Sequence, residues 1–341
     1  MNISLRTLSL VLFSLTLLSC NNKTKDNEAN TSAYLDDISF VINDPSFFNY
    51  ISEDVEIEIL ATGHGWTEGP VWVDSESMLL YSDIPNNNIY SWKQGKEASL
   101  YLAGAGGDYN SNEGSNGLLI HNNKLLLCQH GARQLAYMDA PLDSPSDSFT
   151  SVISTYNGKR LNSPNDATIA KNGDLYFTDP PYGLSNQDQD TFKELSYNGI
   201  YRYTSNKALI LLTDKLTRPN GIAITNDQKR LIVSNSDRKS AQWHSYDIEG
   251  DSLVNHAVFF DATDNISQDN PGLPDGLKIH SSGALFATGP GGLYIFSKEL
   301  ALLGILKLDR ASSNLAFDTN EENLFITADD VVLRLSIKAI D

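Results

Sequence analysis

Pro274-Asp275-Gly276-Leu277-Lys278-Ile279-His280-Ser281-Ser282-Gly283-Ala284-Leu285-Phe286-Ala287-Thr288 is the stretch that decides the fold. Gly276–His280 reads as a short strand, Ser281-Ser282-Gly283 as a turn and Ala284–Thr288 as a second strand. After the loop Gly289–Gly292, Leu293–Ser297 reads as a third. The opening of this unit is a small or turn residue beside a polar one, then a short apolar strand. The same opening occurs at Glu68-Gly69-Pro70-Val71-Trp72, Ser115-Asn116-Gly117-Leu118, Ser163-Pro164-Asn165-Asp166-Ala167, Arg218-Pro219-Asn220-Gly221-Ile222 and Ser313-Asn314-Leu315-Ala316-Phe317. The second-strand pattern, often ending near Asp, returns in Gly173–Asp179 and Arg230–Asn235. Repeats of roughly 40–55 residues are the size of propeller blades. No long stretch has helical periodicity. The chain therefore reads as all-β, a six-bladed β-propeller. Val55–Leu60 alternates acidic and apolar residues and is expected to pair beside Val331–Ile337. That pairing would close the ring and remove free sheet edges.

The innermost strand of every propeller blade lines the central channel, so equivalent blade openings converge on one mouth. The polar residues at this phase are Glu68, Asn116, Asn165, Asn220, Asp275 and Asn314. All offer oxygen; none is Cys or His. Such a ring suits a hard divalent cation better than a soft-ligand zinc site. Any single Asn-Gly or Asp-Gly pair is also a turn former. Turns alone do not explain one phase in six units, nor Glu68, which is not a turn residue. His130 lies in Leu127-Cys128-Gln129-His130-Gly131-Ala132-Arg133, at the end of a second strand. It is either structural or, with Arg133, part of the pocket wall. Asp179-Pro180-Pro181-Tyr182-Gly183 is a rigid loop that either walls a substrate pocket with Tyr182 or fixes a turn. His64 and Trp66 flank Glu68 on the same rim, Trp66 as packing. There is no phosphate-binding Gly-rich loop, no HExxH and no Gly-x-Ser-x-Gly elbow.

The chain has 341 residues and a formal net charge of −18, which argues against nucleic acid as a partner. Leu8–Leu18 is an apolar run of signal-peptide length, too short to span a bilayer. Leu17-Leu18-Ser19-Cys20 has the form of a lipobox. Residues 1–20 are thus expected to be a lipoprotein signal peptide with Cys20 lipidated; the alternative is a plain secretory signal with an incidental Cys. Residues 21–33 read as a polar tether, and residues 34–341 as the propeller with an N-terminal lead-in, Tyr34–Asp54, that packs on it. The expected location is exported and membrane-anchored, on the periplasmic or cell-surface side, with the lipid as the only membrane contact. Cys128 is then the one remaining cysteine, a small buried strand residue without an internal disulfide.

Thr67–Trp72, Leu161–Asp166, Tyr176–Gly183, Arg218–Gly221 and Pro274–Lys278 closely resemble the family of gluconolactonase, regucalcin (senescence marker protein) and luciferin-regenerating enzyme. The likeness runs from about Ile57 to the C-terminus. It implies a six-bladed propeller with a divalent metal in its channel. The family's metal-binding Glu matches Glu68, its two Asn positions match Asn165 and Asn220, and its Asp, both ligand and catalytic base, matches Asp275. The gluconolactonase-like branch also carries a segment like Cys128–Gly131. One departure is Ser313–Asp318, where that branch often has Gly after the Phe. The resemblance implies a metal-dependent lactonase that opens a sugar lactone to the aldonic acid. Ca2+ is the first expectation, with Mg2+, Mn2+ or Zn2+ as alternatives. Asn116, His130, Arg133 and Tyr182 are the expected substrate contacts. Hydrolysis of another ester or phosphoester, or sugar or protein binding around a structural metal, are the alternatives on the same platform.

Overall fold

The structure is a computed structural model and describes residues 33–35, 38–107 and 113–339. The expected signal peptide with Cys20 and nearly all of the expected tether lie outside the described residues. Ala33, placed at the end of the tether, is already paired with Ile59.

Among the described residues, six antiparallel sheets of four or five strands form the blades, and a two-stranded hairpin, Thr155–Tyr156 with Lys159–Arg160, stands between the second and third. The innermost strands of the blades are Thr67–Val73, Ser115–His121, Ala167–Ile169, Pro219–Ile224, Leu277–Ile279 and Ser312–Phe317. These are the six predicted openings, in order. The sequence reading counted three strands per unit, whereas the first five blades each add an outer one: Ser99–Ala103, Phe149–Ile153, Leu209–Thr213, Ser252–Asp261 and Leu302–Lys307. The first four outer strands are largely exposed or half-buried. Leu209–Thr213, Leu-Ile-Leu-Leu-Thr, is nonetheless an apolar run that the three-strand reading passed over. Leu302–Lys307 is the buried exception, because Ser39–Ile42 of the lead-in covers it as a fifth strand.

The sixth blade takes its outer strand from the other end of the chain. Ile57–Ala61 runs antiparallel to Val331–Ser336, with Ile57 opposite Leu335 and Ile59 opposite Leu333. The expected ring closure is therefore present. The lead-in adds to it. Its 3-10 helix Pro45–Asn49 starts at Asp44, whose carboxylate accepts the Ser46 N–H at 2.8 Å. Phe47 and Ile51 are fully buried against blades 5 and 6, among them Phe286, Leu293 and Leu333. A single 3-10 turn between short strands has no period to read, which is why the sequence marked a packed lead-in without its elements.

Close approach of the innermost strands at the axis explains their composition. Each of four inner strands carries a bulge at the same place: between Glu68 and Val71, Ser115 and Leu118, Pro219 and Ile222, and Ser312 and Asn314. A bulge adds local twist and re-aims the side chain beside it. The glycine after the polar residue is steric in origin. A Cβ on Gly69 would lie far inside contact with the Asn116 carbonyl oxygen, and one on Gly221 would strike the Asp275 carbonyl. Glu68-Gly69, Asn116-Gly117 and Asn220-Gly221 thus sit inside strands, where the neighbouring blade leaves no room for a side chain. None of the three is a turn.

Candidate metal and substrate site

In blades 1, 3 and 4 the second strand positions these openings with two adjacent polar residues. The first is a hydroxyl that reaches the next blade. Ser82, Thr178 and Ser234 donate to the backbone carbonyls of Asn116, Asn220 and Asp275 at 2.8, 2.7 and 2.6 Å. The second caps the entry loop of its own blade. Asp179 accepts the N–H groups of Asn162 and Ser163, both at 2.8 Å, and Asn235 Oδ1 accepts that of Arg218 at 2.8 Å. Asp83 does the same for Gly65 at 3.0 Å. The recurring Asp at the end of second strands was noticed in the sequence, but the hydroxyl before it was missed. The signal was there, as Ser82-Asp83, Thr178-Asp179 and Ser234-Asn235.

Glu68, Asn165, Asn220 and Asp275 line one cavity of about 890 Å3. Asn116, His130 and Tyr182 line it too. Its wall also includes Trp66, Glu113, Ser236, Arg238, Ile266 and Leu273, of which only Trp66 was singled out from the sequence, and as packing. Ile266 and Leu273 come from the long connection into blade 5, which has no repeat pattern to reveal it.

Neighbours fix which atom each residue offers. Asn220 Nδ2 donates to Ser236 Oγ at 3.0 Å, so its Oδ1 is left over. Asn116 Nδ2 lies 3.4 Å from His130 Nε2, leaving its Oδ1 as well. Glu68 Oε2 accepts the Gly69 N–H at 2.6 Å and Asn314 Nδ2 at 3.1 Å. Asn116 Oδ1, Asn220 Oδ1 and Asp275 Oδ1 are shielded from solvent without a protein partner. A buried oxygen in that state costs about 1–3 kcal/mol unless something satisfies it. Burial and the charges of Glu68 and Asp166 push the Asp275 carboxyl well above the ordinary carboxylate range. Burial and the Asp166 charge raise Glu68 as well, against the Gly69 N–H that favours its ionised form. Unpaired oxygens beside two mutually repelling carboxyls are the environment a divalent cation relieves, so these residues fit one. Among the described residues no three His, Cys, Asp or Glu side chains gather as a ligand set. Amide oxygens have to supply part of it, as expected for a hard ion.

Two expected rim residues behave differently. Arg133 does not line the cavity. Its Nε donates to the carbonyls of Leu161 and Asn162 at 2.8 and 3.0 Å, and an NH group to that of Phe192 at 2.9 Å. Its backbone is left-handed, φ 57°. Arg133 therefore braces the Leu161–Asn165 loop that carries Asn165, a correction to its expected contact with substrate. His64 is turned to Tyr81 Oη, 3.0 Å from its Nε2, and away from the rim. The Tyr182 loop makes a turn, the Leu184 N–H donating to the Pro181 carbonyl at 3.0 Å, and it also reaches the cavity. Tyr182 lines the cavity, and Gly183 packs so closely on His130 and Ser163 that a Cβ there would come within 2.8 Å of each.

Burial lowers the His130 pKa from 6.5 to about 4, so the imidazole is neutral at neutral pH. A histidine held neutral adds stability that is complete above pH 6.5. It is lost as pH falls from 6.5 towards 4, where the unfolded chain takes up the proton. The full loss is about 3 kcal/mol by linkage. His130→Gln should flatten this acid limb in denaturant titrations at a series of pH values, and should raise KM while leaving cation affinity nearly unchanged. An identical limb in the variant would refute the neutral buried imidazole.

Residues 66–330 match the family described as the SMP-30/Gluconolactonase/LRE-like region. A gluconolactonase of Zymomonas mobilis is 36% identical over 294 residues, 83% of this chain and 81% of its own. The solved structure of a Xanthomonas campestris gluconolactonase superposes with a TM-score of 0.78 at 27% identity, covering 91% of this chain and 98% of that one. Regucalcin of Agrobacterium tumefaciens, a calcium-binding protein, shares the fold at a TM-score of 0.62 and 13% identity, over 83% of this chain and 94% of its own. The match spans all six blade openings, and with it the chain is placed as a member of the SMP-30/gluconolactonase/LRE-like family.

Proposed function

We propose that the protein is a lactonase that hydrolyses a sugar lactone with the help of one divalent cation, Ca2+ first among the candidates. The observation that carries this reading is the set of unpartnered oxygens of Asn220 and Asp275 in the same cavity as Glu68 and Asn165. Glu68, Asn165, Asn220 and Asp275 would hold the ion. When bound, it would polarise the lactone carbonyl and stabilise the oxyanion. The Asp275 carboxylate takes the proton of the attacking water; the cation beside it offsets the burial and repulsion that raise its pKa in the ion-free site, so that it is ionised and able to accept. Neutral His130 and the Asn116 oxygen bind substrate hydroxyls. The Tyr182 phenol stays protonated because burial raises its pKa, and so offers a donor. Trp66, Ile266 and Leu273 give the wall an apolar face that holds the sugar ring and displaces water.

A substrate panel tests the assignment. The soluble domain, supplied with Ca2+, should open aldono-1,5-lactones faster than it cleaves aryl esters or phosphoesters. Faster phosphoester cleavage would transfer the site to the alternative chemistry, and turnover of none would leave a binding protein.

The N-terminal sequence supports export and anchoring through Cys20. Mass spectrometry of membrane-extracted protein should then find a lipidated Cys20 as the first residue. A mature chain starting elsewhere would contradict it.

A further inference from the structure

On the side of Glu68 away from the large cavity lies a second polar layer that the proposed reaction does not use. It consists of Asp166, Lys278 and Asn314. Asp166 and Lys278 line a separate cavity of about 450 Å3 and not the large one. Asp166 and Asn314 are buried. The Lys278 ammonium sits among three oxygens: Asn314 Oδ1 at 3.2 Å, the Leu277 carbonyl at 3.2 Å and Asp166 Oδ2 at 3.7 Å. Asn314 Oδ1 also accepts the Leu315 N–H at 2.9 Å. That turns Asn314 Nδ2 towards Glu68 Oε2 at 3.1 Å and Asp166 Oδ2 at 3.5 Å. Lys278 thus reaches the upper ring through one amide.

A carboxylate, an amide oxygen and a peptide carbonyl around one small cation are what a hard metal ion selects from a protein. Here the cation belongs to the chain itself. We infer that Lys278 fills a second cation position of the channel, so that the protein holds one divalent ion where its oxygens would otherwise hold two. The physical case is charge. Glu68, Asp166 and Asp275 put three carboxyls along the axis, and Lys278 is the ion-pair partner of Asp166. A buried carboxylate stripped of its partner is strongly destabilising. A tethered ammonium meets that need at any calcium concentration, whereas a bound ion would leave with chelator. Lys278 is accordingly a positioning residue: it touches no substrate and acts on Glu68 through Asn314.

The ligand set proposed above enters this inference only as the upper ion, and the test does not depend on it. Chelator-treated wild type and Lys278→Met are titrated with CaCl2 by calorimetry. The variant should bind one Ca2+ more than wild type, whatever number wild type binds, and should melt lower than wild type in chelator but regain the difference in calcium. Adding Asp166→Asn to Lys278→Met should abolish the extra ion. An unchanged stoichiometry in folded Lys278→Met overturns the inference. If Lys278→Met does not fold in chelator, refolding is followed against CaCl2. Recovery by calcium but not by NaCl of equal ionic strength supports the inference, and no recovery at saturating calcium overturns it.

Discussion

Asp275→Asn should lower lactone hydrolysis by roughly 10²–10⁴-fold, the usual scale for losing a general base, and saturating cation should not restore it. Asn keeps the shape of Asp and one oxygen for a cation, but it cannot take up a proton as a carboxylate does. The fold should survive. The Asp275 backbone is held independently of its side chain, by its N–H to the Thr288 carbonyl at 3.1 Å and by Ser234 Oγ on its own carbonyl at 2.6 Å. In chelator the variant should melt no lower than wild type, because one of two crowded carboxyls is gone. Recovery of the full rate at high cation would reduce Asp275 to a ligand. If the protein only binds sugar, neither form will turn over any lactone and the substitution will change cation affinity alone.

Gly69→Ala should damage stability and the site together. Gly69 has φ +51°, and its missing Cβ leaves the room that the Asn116 carbonyl takes. Left-handed backbone costs a non-glycine residue about 1 kcal/mol. Forcing two inner strands apart adds about 1–3 kcal/mol, the scale of core overpacking. The displaced strands carry Glu68 on one side and Asn116 on the other, and the Gly69 N–H holds Glu68 Oε2. Cation affinity should therefore fall about 10–100-fold, as for other losses of support around a ligand. Gly173→Ala is the control: φ is +86°, yet nothing lies within 4 Å of its Cβ position. It should cost only the backbone share and leave cation binding alone. Equal, mild effects at both glycines would contradict the crowding at the axis.

These two positions also show how far the sequence could be read. The six openings were legible because the repeat keeps polar residues at one phase, and the four expected ligands share a cavity with three of the four expected substrate contacts. Arg133 was misplaced because proximity to His130 along the chain does not fix a side chain's partners: its guanidinium is taken up by the carbonyls of Leu161, Asn162 and Phe192. Most outer strands were missed because half-exposed strands mix polar and apolar residues, whereas the apolar Leu209–Leu212 was legible and was passed over. The Gly after Glu68, Asn116, Asn220 and Asp275 looked like turn chemistry in one dimension. It is explained only by the neighbouring blade, which no single repeat contains. Ser236, which fixes the Asn220 amide, stands at the phase of the second strand that His130 holds in blade 2, a correspondence the repeat offered and the reading passed over. The Ile266–Leu273 wall comes from a non-repeating connection, so no periodicity could have announced it.

The central claim is that oxygens of Glu68, Asn165, Asn220 and Asp275 hold one divalent cation on which lactone opening depends. The most direct measurement is the initial rate of hydrolysis of an aldono-1,5-lactone by the soluble domain, stripped with chelator and then titrated with Ca2+, Mg2+, Mn2+ and Zn2+ in turn. The account predicts a rate near the uncatalysed background in chelator, rising along a single-site saturation curve for at least one ion. Glu68→Gln should shift that curve to higher concentration. An undiminished rate in chelator that no ion raises would contradict it.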